Sequence, residues 1–286
     1  MATGTTEFID ATTADAFIRE VWSKKAIVAR ENTLVFSPLV NHEFKEELSY
    51  GDIVHVPAIT NLTVQTKDRS ANAATIFETV TEANTDITVA TWHYAAVAIE
   101  TATEKQVSQN LLNRYAPKMG YGLGQAIDDV LAGRVDDFTN AEGALTIDLT
   151  YANVIRGIQY LDDADAPLED RAFAISPAQR EGFMGLDQFI HADYSKVNAG
   201  VQMRVRAKVG DWMAIPVYMS VNVEGTNAAG HDNGLFHKEA IAHITQMTPT
   251  TWKQFDIDRL AHKVVMEQLS GSAIMRNNHG VFLRGS

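Results

Sequence analysis

Two β-rich runs held apart by a long polar stretch, and followed at once by a long amphipathic helix, restrict the folds open to this chain more than any other feature. DIVHVPAITNLTVQT (52–66) and ITVATWHYAAVAI (87–99) are dense in β-branched and aromatic residues, the composition of strands. The connecting KDRSANAATIFETVTEANT (67–85) is polar and carries no strong turn signal. Connections of such length are uncommon inside compact domains and usually serve a function. A β-hairpin projecting from the body accounts for both facts. Directly behind the second run, Thr101-x-x-Glu104 has the form of a capping box. Val107, Leu111, Tyr115, Met119, Leu123, Ile127 and Val130 then recur at helical spacing towards a stop near Gly133. Pro117 lies inside this helix, removes one internal hydrogen bond and predicts a kink.

The segments on either side are more ordinary. Residues 13–30 read as a helix, with Thr13 as N-cap and Phe17, Ile18, Val21, Trp22, Ala26 and Ala29 on one face. Residues 31–50 look extended and are interrupted by Pro38, as expected of an arm that packs on something else. Beyond Thr146 helix and strand alternate. Residues 149–161 read as a helix, RAFAIS (171–176) as a strand, and Pro177 is well placed to open the next helix. Val201–Val209 and Ala214–Val223 read as strands that turn at Gly210 and Asp211. Residues 236–246 read as a helix, FDIDRLAHKVVMEQL (255–269) as mixed strand and helix, and Val281–Leu283 as a closing strand. The class is α+β, with neither a strict βαβ alternation nor an all-β rhythm.

Composition excludes whole classes of function. The chain has no cysteine, so disulfides, thiolate metal sites and cysteine nucleophiles are ruled out. The start, MATGTTEFIDATTADAF, has neither the basic head nor the apolar core of a signal peptide. No window reaches the ~18 consecutive apolar residues of a membrane span. A formal charge of −12 argues against the basic face that DNA binders use to displace counterions.

The search for chemistry finds no site. GYGLG (120–124) sits within a helical pattern rather than between a strand and a helix, so close helix packing explains it better than a dinucleotide fingerprint. LDDADAPLED (161–170) lacks the glycine and terminal glutamate of a calcium loop and reads as a solvated acidic loop. HEFKE (42–46) has Glu46 where a metalloprotease needs its second histidine, and His237 and His243 are not on one helical face. No catalytic residue, cofactor site or metal ligand is therefore assigned, and a role in assembly is favoured.

Several segments, taken in order, resemble the HK97-type major capsid proteins of tailed bacteriophages. AFIREVWSKKAIVARENTLVFSPLVNHEF (16–44) is similar to that family's N-terminal arm. YGDIVHVPAITNLTVQT (50–66) and ITVATWHYAAVAIE (87–100) resemble the two sides of its extended E-loop, and residues 101–133 its spine helix. ANVIRGIQYLDDADAPLEDRAFAISPAQ (152–179) is the most specific stretch: a helix, an acidic loop, then R-x-F-x-I-S-P. VGDWMAIPVYMSVNV (209–223) resembles a strand of the axial domain, and HKEAIAHI (237–244) with AIMRNNHGVFL (273–283) fits the end of such chains.

The resemblance implies an arm at 1–49, an E-loop at 50–86 and a peripheral domain with the spine helix at 87–146. It further implies an axial domain at 147–262 and a C-terminal segment, 263–286, returning to the peripheral domain. It implies a shell protein, not an enzyme, that forms pentamers and hexamers of itself around an icosahedral head. The head encloses double-stranded DNA without sequence-specific binding and without a membrane. A separate scaffolding protein is expected, because Met1 lies almost at the arm. A portal is a second expected partner, and decoration proteins a third. Assembly in the host cytoplasm and residence in the virion follow. Some family members cross-link subunits through Lys–Asn bonds; here Lys67 is the one lysine of the E-loop, and Asn277 and Asn278 lie near the C-terminus. Two alternatives stay open: an encapsulin-like compartment shell, and a metal-dependent hydrolase built from distant His and Asp residues.

Overall fold

The computed structural model describes residues 34–46, 51–59, 62–67, 74–75, 77–78, 82–106, 111–145, 147–185, 208–226 and 228–285. In chain order the elements begin with β1 (Ile53–Ile59), β2 (Glu82–Thr88) and β3 (Thr91–Glu100). The helices α1 (Thr101–Gln106) and α2 (Leu111–Ala132) follow, then β4 (Asn140–Gly143), α3 (Tyr151–Asp163), β5 (Arg171–Ile175) and α4 (Pro177–Met184). The rest is strand: β6 (Lys208–Trp212), β7 (Ile215–Met219), β8 (Gly225–Thr226), β9 (Gly230–His237), β10 (Ile241–Asp256), β11 (Ala261–Ile274) and β12 (Gly280–Gly285). The fold is α+β, as the sequence predicts. The helix expected at 13–30 and residues 201–207 of the strand expected from Val201 to Val209 lie outside the described residues.

A mixed sheet in the order β4-β12-β9-β5-β7-β6, with β8 added beside β9, forms the largest layer. β4 runs parallel to β12 and β5 parallel to β7; the remaining pairs are antiparallel. Both faces are covered, and side-chain alternation sorts the residues between two cores. Phe173, Ile175, Leu235 and Leu283 meet Val154 and Leu161 of α3 and Phe183 of α4 on one face. Ala174, Phe236 and Phe282 meet Leu131 and Ala132 of α2, and Phe36 and Val40, on the other. α3 starts with a reciprocal capping box between Thr150 and Asn153, and α4 with Ser176 as N-cap; Pro177 opens α4, as expected.

A second, antiparallel sheet has the order β10-β11-β3 and packs one face on α2. There the buried Gln268 side chain donates to the Leu123 carbonyl at 3.1 Å. Of the expected long helix the described residues show α1 and α2, with 107–110 outside them, and α2 runs on through Pro117. The Thr101 hydroxyl donates to the Leu260 carbonyl, tying α1 to the turn between β10 and β11.

Five expectations need correction. The run 87–99 is not one strand: Ile87 and Thr88 finish the hairpin with β1, and β3 starts at Thr91 in another sheet. The odd-numbered residues face inward on both sides of this break, so alternation runs through it unbroken and hides it. Residues 236–246 are not a helix but the end of β9, a short 3-10 turn and the start of β10. Ile241, Ala242 and Ile244 are all buried, and a strand covered on both faces imitates a buried helix. The helical part expected within 255–269 is the second half of a long hairpin, β10 to β11. The turn expected at Gly210 and Asp211 lies at Met213 and Ala214, both with positive φ (48° and 68°), the geometry of a tight two-residue hairpin turn made without its usual Gly or Asn. The expected boundary at residue 262 falls inside β11, and β12 lies in the seven-stranded sheet.

Candidate assembly surfaces

The hairpin is the first surface. β1 and β2 pair antiparallel from Ile53 opposite Thr88 to Ile59 opposite Glu82. Among the described residues its root is anchored: Val54, Ile87 and Val89 pack with Ala242 and Ile244 of β10, and Val56 lies against them. Farther out the two arms stay linked, because Glu78 accepts the Thr63 N–H at 2.7 Å and the Thr63 hydroxyl at 3.1 Å. Along that outer part Leu62, Val64 and Phe77 are 65%, 93% and 89% exposed. Large apolar side chains this open on an extended element mark a contact surface. A cleft of about 500 Å³, lined by Asn41, Phe44, Val56 and Arg276, separates part of the hairpin from the body.

The second surface is the face of β10-β11-β3 turned away from α2. Trp92, Tyr94 and Trp252 stand on it, each at least 60% exposed. Glu267 lies between the two tryptophans and accepts both indole N–H groups, from Trp92 at 3.1 Å and from Trp252 at 2.6 Å. The rings are thus held in place at the surface rather than left to rotate. Ordered, exposed tryptophan and tyrosine are the side chains that anchor protein interfaces.

The third feature is the arm's anchor. Asp128 on α2 has no exposed surface, and its carboxylate accepts the N–H groups of Val35, Phe36 and Ser37 at 3.1, 2.7 and 3.3 Å. Asn222 donates to its second oxygen at 3.0 Å. Beside it, burial and the charge of Asp128 hold the Asp129 carboxyl above its ordinary range. Gly124 faces the arm as well, and a Cβ there would lie 2.8 Å from Leu34. Of the three glycines in GYGLG, Gly124 alone is closely approached; Gly120 and Gly122 have room for a methyl.

The acidic loop at 161–170 is ordered by one arginine. The buried Arg171 pairs with Asp162 at 2.7 Å and donates to the Pro167 and Ala166 carbonyls at 2.8 and 2.6 Å. His42 and His243 are neighbours, with rings 5.3 Å apart, and His42 also bonds the Ser37 carbonyl. His237 does not join His243 but sits with Glu239 and His279, a grouping without a sequence motif because His279 arrives from a separate turn before β12. Lys67 is exposed on the hairpin, Asn277 accepts the Thr139 N–H at 2.7 Å, and Asn278 is exposed. A carboxylate cluster, Asp136, Glu224 and Asp232, lies near Arg284; burial and mutual repulsion push the Asp136 and Glu224 carboxyls above their ordinary range.

The sequence profile of the phage capsid protein family matches residues 45–282. No curated protein sequence matches the chain. Among solved structures, a chain of Mycobacterium phage Che8 superposes with a TM-score of 0.79 at 20% identity, covering 94% of this chain and 98% of that one. A chain from the capsid of Ralstonia phage GP4 gives 0.73 at 11% identity, with 99% and 98% covered. A chain from the capsid of Cyanophage P-SCSP1u gives 0.71 at 14% identity, with 99% and 95% covered. At these identities the likeness speaks for the fold, and the profile speaks for the family. The chain therefore belongs to the phage capsid protein family and has the HK97-like fold of a major capsid protein.

Proposed function

We propose that this shell subunit assembles as pentamers and hexamers into an icosahedral phage head that encloses double-stranded DNA. The observation that carries the reading is the hairpin: its root is packed, while Leu62, Val64 and Phe77 beyond it are exposed. Such side chains gain burial only against another molecule, and a second copy of the chain is the partner a closed shell supplies. Interfaces between permanent subunits are large and more apolar than ordinary surface, which suits the Trp92–Trp252 face equally.

In this reading residues 1–49 are the arm and 50–86 the E-loop. α2 with β3, β10 and β11 is the peripheral domain, and the seven-stranded sheet with α3 and α4 is the axial domain. A scaffolding protein and a portal are its partners during assembly in the host cytoplasm, and decoration proteins bind the finished head where the phage encodes them. The charge of −12 keeps packaged DNA from adhering to the wall. Neither the compartment shell nor the hydrolase gains an observation of its own.

Replacing residues 61–80 by a short Gly-Ser turn tests the reading. The subunit is expected to keep its circular dichroism spectrum and melting transition but to sediment only as small species. Shell formation by this variant would contradict the role given to the hairpin.

A further inference from the structure

His237 ends β9, Glu239 follows in the 3-10 turn 238–240, and His279 closes the turn that leads into β12. The ligand atoms of these three side chains lie within 4.8 Å of one another. Both imidazoles are buried, at 5% and 7% exposure, while Glu239 is open to solvent. We propose that His237, Glu239 and His279 bind one zinc ion, which clamps the β12 end of the chain to the junction of β9 and β10.

His279 carries the argument. One of its ring nitrogens bonds the Ala164 carbonyl, and its Nδ1 is buried without a hydrogen-bond partner. The nitrogen facing Ala164 is therefore Nε2, acting as donor, and Nδ1 keeps its lone pair. A ligating histidine characteristically donates its other N–H to a backbone carbonyl, which fixes the tautomer and aims the free nitrogen at the metal. An unsatisfied buried nitrogen otherwise costs free energy for no return.

The other two donors complete a set that suits zinc, which takes imidazole nitrogen and carboxylate oxygen at about 2.0–2.2 Å and so holds ligands roughly 3.3 Å apart. Glu239 is exposed and free to swing inward over that difference. Its present partner, Arg276 at 3.5 Å, forms an exposed pair of the kind that contributes little. The Glu239 N–H donates to His237 Nδ1 at 3.2 Å, which holds that ring beside Glu239. A cleft of about 230 Å³ reaches His237 and Glu239 past Glu43, Glu169 and Asp170, so cations are drawn towards the site. Magnesium, which prefers all-oxygen octahedral surroundings, fits two imidazoles poorly.

The test is calorimetric titration of untagged, EDTA-treated full-length protein with zinc chloride, and with magnesium chloride as comparison. One zinc per subunit is expected, with two imidazoles in its X-ray absorption spectrum and no stoichiometric heat from magnesium. H279Q and E239Q are each expected to weaken zinc binding roughly tenfold or more. E239Q alters an exposed side chain and keeps the fold, so it remains decisive if H279Q does not fold. Absence of stoichiometric zinc uptake, or affinity unchanged in E239Q or in a folded H279Q, overturns the proposal.

Discussion

The Phe36 N–H donates to the Asp128 carboxylate at 2.7 Å, joining the arm to the C-terminal part of the long helix across 92 residues of sequence. Val35 and Ser37 donate to the same oxygen, and the carboxylate is shut away from water. One side chain thus satisfies three backbone donors that would otherwise be buried and unpaired. D128A is expected to destabilise the subunit by about 3 kcal/mol, since hydrogen bonds to a buried charged group are the costly ones to break. A urea midpoint that falls with an unchanged slope is the result to look for; an unchanged midpoint would contradict the anchor.

Gly271 of β11 sets where the hairpin leaves the body. A Cβ at this position would come within 2.9 Å of the Val89 Cα and closer still to the Thr88 carbonyl, and backbone cannot yield as a flexible side chain does. G271A should therefore shift the hairpin root, leave the two sheets folded and lower the yield of shells in electron micrographs. Normal yield would show that the close approach has no bearing on assembly.

Trp252 and Trp92 share Glu267 on the outer face of the three-stranded sheet. W252R places a charge on an exposed position, so the isolated subunit should melt within a degree or two of the wild type. Assembly should fall sharply, because the apolar ring is lost and a charged side chain must be desolvated at the interface. Sedimentation velocity read beside the melting curve separates the two effects, and a subunit that melts early instead would move Trp252 into the fold.

The carboxylates at Asp136, Glu224 and Asp232 give a pH dependence of known sign. The Asp136 and Glu224 carboxyls are raised from 3.8 and 4.5 by burial and repulsion. The unfolded chain therefore loses its protons first as pH rises, and the folded state loses stability across that window. Solvent screening keeps the effect modest. E224Q should raise the melting temperature at pH 7 and leave it unchanged at pH 4; an equal gain at both would rule out charge as the cause.

Much of this was legible in the residues, and the misses have physical causes. Pro177 at the start of α4, the strand RAFAI and the closing strand were readable because proline's fixed φ and burial act locally. The division of 87–99 between two sheets was not, because Ile87, Val89 and Thr91 keep the same inward phase. Ile241 to Ile244 looked helical because both faces of that strand are covered. The grouping of His237, Glu239 and His279 was hidden for another reason: two separate turns bring it together, and spacing records neither.

The central claim is that this subunit closes into a shell through its projecting hairpin, and electron microscopy of the purified protein tests it most directly. The protein would be imaged alone and after co-expression with its neighbouring genes. Closed shells, or pentamers, hexamers and tubes with the hairpin of one subunit lying over the next, are the expected result. A uniform small particle that never assembles, even with a scaffolding protein supplied, would contradict it.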